Sequence, residues 1–202
     1  MLIDEIKDVE IILASRSPRR KALLKGLGLD YKTLDNDSEL QEVYPDTLTP
    51  GQVPVFLAQL KAKHFADKIQ KNTLLITADT IVVCDDRIIG KPSGRDHAIE
   101  ILGFLSGKKH EVYTGVCLSS ATLQTSFLAT THVYFRKLTE EEIIYYIDKY
   151  KPFDKAGAYG IQEWIGFAGV EKIEGSYFNV MGLPVEQLYL ELEKFVARIK
   201  ER

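Results

Sequence analysis

Residues 11–28 read IILASRSPRRKALLKGLG, and the change of period inside them decides the fold. Ile11, Ile12 and Leu13 are apolar and β-prone. Leu23, Leu24 and Leu27 then recur at helical spacing, and Gly28 is a helix stop. The stretch predicts a short strand, a tight turn and a helix. Ser17 is the expected N-cap. Pro18 is the expected first helical residue, because its missing N–H would have no partner there. A helix start offers unpaired backbone N–H groups and the positive end of the macrodipole. Ser15, Ser17, Arg19 and Arg20 add two hydroxyls and two guanidiniums to the same turn. An anion, most simply phosphate, explains that density of donors better than a capped helix with solvated arginines. Neither a Walker A loop nor a GxGxxG fingerprint is present.

Strand and helix signals continue outward from this stretch. The 202 residues are 45% hydrophobic, enough for one well-buried domain or a two-lobed one. The formal net charge of -3 gives no broad field for nucleic acid, so any basic site is local. Cys84 and Cys117 lie in apolar runs and read as core thiols of a reducing compartment. No apolar run has the length of a membrane span, and the first residues lack a signal-peptide pattern. A cytoplasmic protein is expected.

Residues 35–54 form an acidic connection with three prolines, of a length that is often functional. Glu39 and Glu42 are its candidate site carboxylates, although most of its acids read as solvated. Residues 55–70 predict an amphipathic helix with Phe56, Leu57, Leu60, His64 or Phe65 and Ile69 inward. Lys61 is expected beside that stripe, reaching for phosphates or snorkelling to solvent. In residues 73–92, two apolar strand runs, Leu74–Thr77 and Ile81–Cys84, flank Ala78-Asp79-Thr80. A carboxylate there is costly to bury unless paired, hydrogen-bonded or holding a metal. An ion pair, a general base and a Mg2+ ligand all satisfy that condition. Asp85-Asp86 marks a turn into a short return strand, and Lys91 follows it.

Residues 94–105 predict a helix capped near Asp96, and residues 110–118 and 126–136 predict strands. Thr139 caps a helix with three glutamates in its first turn. The small residues of DKAGAYGIQ, 154–162, leave room for a close approach. Gln162 carries the donor and acceptor needed to read a nucleobase edge. Residues 163–169 form an apolar edge suited to a subunit contact. Residues 173–184 read as a Gly-punctuated loop before a last helix from Val185. The four histidines are scattered, which argues against a zinc site.

Seven blocks together resemble the Maf family of nucleoside triphosphate pyrophosphatases. They are ASRSPRR (14–20), LKAK (60–63), TADTIVV (77–83), GKP (90–92), LSGKKHEVYTGV (105–116), DKAGAYGIQ (154–162) and IEGSYFNVMGLP (173–184). They occur in the family's order and span most of residues 1–202, which implies a single Maf-like domain. The resemblance implies an α/β, inosine triphosphate pyrophosphatase-like (Maf/Ham1) fold: a long twisted mixed β-sheet with flanking helices and two lobes around a nucleotide cleft. It implies hydrolysis of the α–β phosphoanhydride with a divalent cation, Mg2+ or alternatively Mn2+. It implies that Asp79 is the proton acceptor, that Ser15, Ser17, Arg19 and Arg20 grip phosphate, and that Lys61 and Lys91 lie on the phosphate side. Glu42, with Asp79, would hold the metal, and Glu39 is the alternative to Glu42. Arg19, Thr80 and Gln162 match the subgroup that prefers dTTP and UTP. The expected partners are a nucleoside triphosphate and a second copy in a homodimer, without nucleic acid or membrane. The competing readings are a nucleotide-binding regulator of cell division and a purine-type enzyme for ITP or XTP.

Overall fold

The computed structural model describes residues 1–34, 40 and 42–200. The elements in chain order are α1 (Leu2–Glu5), β1 (Glu10–Ala14), α2 (Pro18–Gly26), β2 (Lys32–Leu34), α3 (Val53–His64), β3 (Thr73–Cys84) and β4 (Arg87–Ile89). They continue with α4 (Arg95–Leu105), β5 (Lys109–Ser119), β6 (Gln124–Phe135), α5 (Glu140–Tyr150), α6 (Trp164–Gly169), β7 (Val170–Glu174), α7 (Tyr177–Met181) and α8 (Val185–Lys200). Among the described residues the strands form one sheet in the order β2-β1-β3-β5-β6-β7, with β4 paired to β3. The sheet is mixed. β1 runs parallel to both β2 and β3, whereas β4 is antiparallel to β3 and β7 to β6. This is the α/β architecture, with a mixed sheet, that the family resemblance implies.

The chain divides into two compact units. The first comprises Met1–Asp79, Thr114–Ala129 and Gly182–Arg202, and the second Thr80–Tyr113 and Thr130–Met181. In the first unit, Ile12, Ala14, Ala58, Ala62, Phe65, Leu75 and Cys117 pack as one apolar cluster. The small residues Ala58 and Ala62 bring α3 close to the sheet. Gly115 does the same at the start of the helix: a Cβ there would overlap the backbone of Pro54 and Val55. In the second unit, α4 packs against α5. Leu102, Leu105, Tyr146 and Ile147 are fully shielded in that core. Each such apolar side chain contributes about 2 kcal/mol of burial.

Local rules set most boundaries. Ser17 accepts from the Arg20 N–H with Pro18 at the first helical position, as expected. Thr139 and Glu142 form a reciprocal capping box. Gly28 and Gly107 adopt left-handed φ of 72° just past their helices. Three expectations are revised. β3 is one uninterrupted strand through Asp79, not two. The cap of α4 is Gly94, with Asp96 inside the first turn. Residues 173–184 hold the end of β7 and the short helix α7, not an open loop. The first residues form the short α1 and bury Leu2 and Ile6. Cys84 and Cys117 are free, buried thiols, as the composition suggests. No helix among the described residues is long and apolar enough to cross a membrane.

Candidate active site

The first unit carries most of the chemistry-bearing residues. β1 ends at Ala14, and the chain turns so that Ser15 N–H donates back to Leu13 O at 3.1 Å. Ser15 is buried, and its hydroxyl accepts from Ser17 N at 3.2 Å. Ser17 Oγ in turn accepts from Arg20 N at 3.4 Å. The two serines therefore organise the turn itself. The first turn of α2 has no acidic residue to offset the helix dipole. Arg16 is exposed and Arg19 half-buried at this start. Arg20 is drawn inward: Nε donates to Gly182 O at 2.7 Å and Nη1 to Ala78 O at 2.9 Å. Burial is the main influence on its pKa and lowers it, while the Asp79 charge acts the other way. Arg20 thus ties the turn to the residue immediately before Asp79.

Asp79 lies on β3, buried, and its neighbour across the strand-to-helix interface is Lys61 of α3. Lys61 Nζ is 2.6 Å from Asp79 Oδ1 and 2.8 Å from Glu42 Oε1. One ammonium thus serves two carboxylates. This revises the expected position of Lys61. It lies on the buried face of α3 with Leu57, Ala58 and Ala62, while Phe56 and Leu60 are only half-buried and His64 is exposed. The helical spacing favoured the larger apolar residues, but an ion pair lets a lysine take the inward position. The Lys61 side chain is 7% exposed and that of Glu42 43%, so the cluster opens toward solvent on the Glu42 side. Glu39 lies outside the described residues.

Asp79 and Glu42 meet on the Lys61 ammonium, and their hard oxygens are the donor chemistry that suits Mg2+ completed by water and phosphate oxygens. No group of three or more His, Cys, Asp or Glu side chains is gathered for a metal among the described residues. A cation held here would therefore need oxygens from outside the protein.

The remaining expected residues belong to the second unit. Thr80 is half-buried on β3. Lys91 is exposed, one residue after Gly90, whose carbonyl accepts from Gly157 N at 3.1 Å. That bond ties the GKP turn to the segment that carries Gln162. Gln162 is half-buried, and its Oε1 is shielded without a hydrogen-bond partner among the described residues. Residues that the sequence reading passed over support this segment. They are Tyr146, which reads only as a core aromatic, and Lys155 and Glu163, to which the sequence pattern assigns no role of their own.

A family model described as Maf-like protein matches residues 10–195. The chain belongs to the Maf family. A curated relative named "dTTP/UTP pyrophosphatase" from Bacteroides fragilis (strain ATCC 25285) is 56% identical over 92% of this chain and 95% of its own. One of the same name from Flavobacterium johnsoniae is 45% identical over 97% of this chain and all of its own length. Among solved structures, the Staphylococcus aureus Ham1 protein matches 62% of this chain and 71% of its own at 19% identity, with a TM-score of 0.42.

Proposed function

We propose that this Maf-family protein is a nucleoside triphosphate pyrophosphatase that hydrolyses dTTP and UTP to the monophosphate and diphosphate. The observation that carries the reading is the Asp79–Lys61–Glu42 cluster beside the serine- and arginine-rich start of α2. The curated relatives' shared name supports the choice of nucleotide.

Phosphoanhydride hydrolysis needs charge neutralisation and an aligned water more than covalent help. In this reading the start of α2 and Arg19 take the phosphate oxygens. Arg20 holds the turn in place and adds its charge, and Lys61 and Lys91 neutralise negative charge that builds on the leaving diphosphate. Water adds to the α-phosphorus, its proton passes to the Asp79 carboxylate, and the α–β bridging bond breaks to release diphosphate. A divalent cation, Mg2+ or Mn2+, held by Asp79 and Glu42 would supply Lewis-acid stabilisation of phosphate charge. Arg19, Thr80 and Gln162 set the base preference. Two free, buried thiols suit a cytoplasmic setting. The same reading includes a homodimer through α6, where Phe167 is 83% exposed.

The test is diphosphate release with Mg2+ from a panel of dTTP, UTP, CTP, 7-methyl-GTP, ITP and the ordinary purine triphosphates. Fast turnover of dTTP and UTP is expected. Preference for ITP would overturn the pyrimidine reading, and nucleotide binding without turnover of any member would overturn the enzyme.

A further inference from the structure

Tyr146 is wholly buried in α5, yet its hydroxyl is engaged twice in the segment that carries Gln162. It donates to the Glu163 carboxylate, and it accepts from Gly160 N at 2.9 Å. The other carboxylate oxygen, Glu163 Oε1, lies 3.2 Å from Lys155 Nζ, and Lys155 is itself buried and holds Asp154 at 2.8 Å. Burial, followed by the Glu163 hydrogen bond, pushes the Tyr146 phenol well above its usual range, so the proton stays on oxygen and donates. Gln162 lies inside this pinned segment. A Cβ on Gly160 would lie 3.0 Å from Gln162 Nε2 and 2.9 Å from Glu163 Cδ, so the amide folds back over Gly160. Its Oε1 is the shielded acceptor left without a partner among the described residues.

We propose that the Tyr146 hydroxyl, through Glu163 and Gly160, is a positioning group that sets the Gln162 amide to receive a base donor. This rests on the pyrophosphatase reading above. A buried acceptor left open calls for a donor on the ligand. Thymine and uracil both carry N3–H, whereas cytosine presents an acceptor at N3. An Oε1 presented to the base favours thymine and uracil and disfavours cytosine, because the wrong base leaves two acceptors facing each other. The Tyr146 clamp supplies the fixed geometry that such discrimination requires.

The experiment compares wild type with Tyr146→Phe, which keeps the ring and removes only the hydroxyl. Thermal melts confirm that each variant is folded. The contact to the base is present in both ground and transition states, so its loss raises KM and not kcat. For Tyr146→Phe, KM for dTTP and UTP rises about tenfold with kcat within about twofold, and preference over CTP falls about tenfold. Gly160→Ala, which crowds the amide directly, reproduces the Tyr146→Phe pattern and serves if Tyr146→Phe melts below the assay temperature. Unchanged KM and preference in these variants would overturn the proposal. So would a fall in kcat alone, since that marks a purely structural role. If wild type turns over neither dTTP nor UTP, the pyrophosphatase reading fails separately. Calorimetric binding of dTTP against CTP to the same variants then decides the positioning role, with loss of preference in Tyr146→Phe expected and retention overturning it.

Discussion

Thr77 donates its hydroxyl to the main-chain carbonyl of Ala58 at 2.7 Å, with both residues fully shielded from solvent. Thr77 and Asp79 are two apart on β3 and share a face. Ala58 and Lys61 are three apart on α3 and share another. The Thr77–Ala58 hydrogen bond and the Asp79–Lys61 ion pair are thus successive rungs between the same strand and helix. Thr77→Val keeps the shape and removes the donor. It is expected to cost about 1 kcal/mol in urea unfolding and to lower turnover about threefold, as the second rung loosens. Unchanged turnover alongside the stability loss would mean that the rungs act independently.

Asp79 and Lys61 separate by what their replacements leave behind. In Asp79→Asn the carboxamide still accepts from Lys61, so the fold holds. Loss of the base lowers diphosphate release by about 100-fold or more. In Lys61→Met, Asp79 keeps its buried position without the ammonium, and unfolding in urea falls by about 3 kcal/mol. A Lys61→Met protein as stable as wild type would show that solvent reaches Asp79 freely.

Gly115 marks where β5 passes the start of α3. In Gly115→Ala the new methyl meets the backbone of Pro54 and Val55, which cannot swing aside as a side chain would. A loss of about 3 kcal/mol is expected by calorimetry. A normal melting temperature would require α3 to have shifted, which the turnover rate would register through Lys61.

His110 gives the fold a pH dependence. Burial pushes its pKa down to about 4 from 6.5, with Nε2 held by the Tyr159 hydroxyl at 2.8 Å. The unfolded chain therefore takes up a proton at a higher pH than the folded one. Stability is full above pH 6.5 and falls as the pH drops toward 4, by about 3 kcal/mol. His110→Gln removes this contribution and flattens the stability profile between pH 6.5 and 4. An equally steep profile in the variant would assign the loss to carboxylates instead.

The readable parts of this chain are those with local causes. Ser17-Pro18 and Thr139 with Glu142 announce their helices because the cap and the capped N–H groups are neighbours in sequence. Apolar runs placed the strands. What was hidden depends on distant partners. Asp79 looks like a break in a strand until Lys61, eighteen positions away, is seen to neutralise it. Lys61 looks like an edge residue until both its carboxylates are known. Tyr146 differs from a core phenylalanine only by an oxygen whose partners come from residues 160 and 163. The candidate residues could be named from motifs, but Arg20's commitment to the backbone carbonyls of Ala78 and Gly182 is a fact of three dimensions.

That last hydrogen bond has a bearing on biosynthesis. The Gly182 carbonyl that receives the Arg20 Nε is made 162 residues after Arg20 itself. Until then the turn can close locally but its guanidinium lacks one of its anchors. Contacts of such separation form late and slow folding. A nascent chain on the ribosome therefore holds a turn without its final fastening, and the completed turn arrives only once residue 182 has been made.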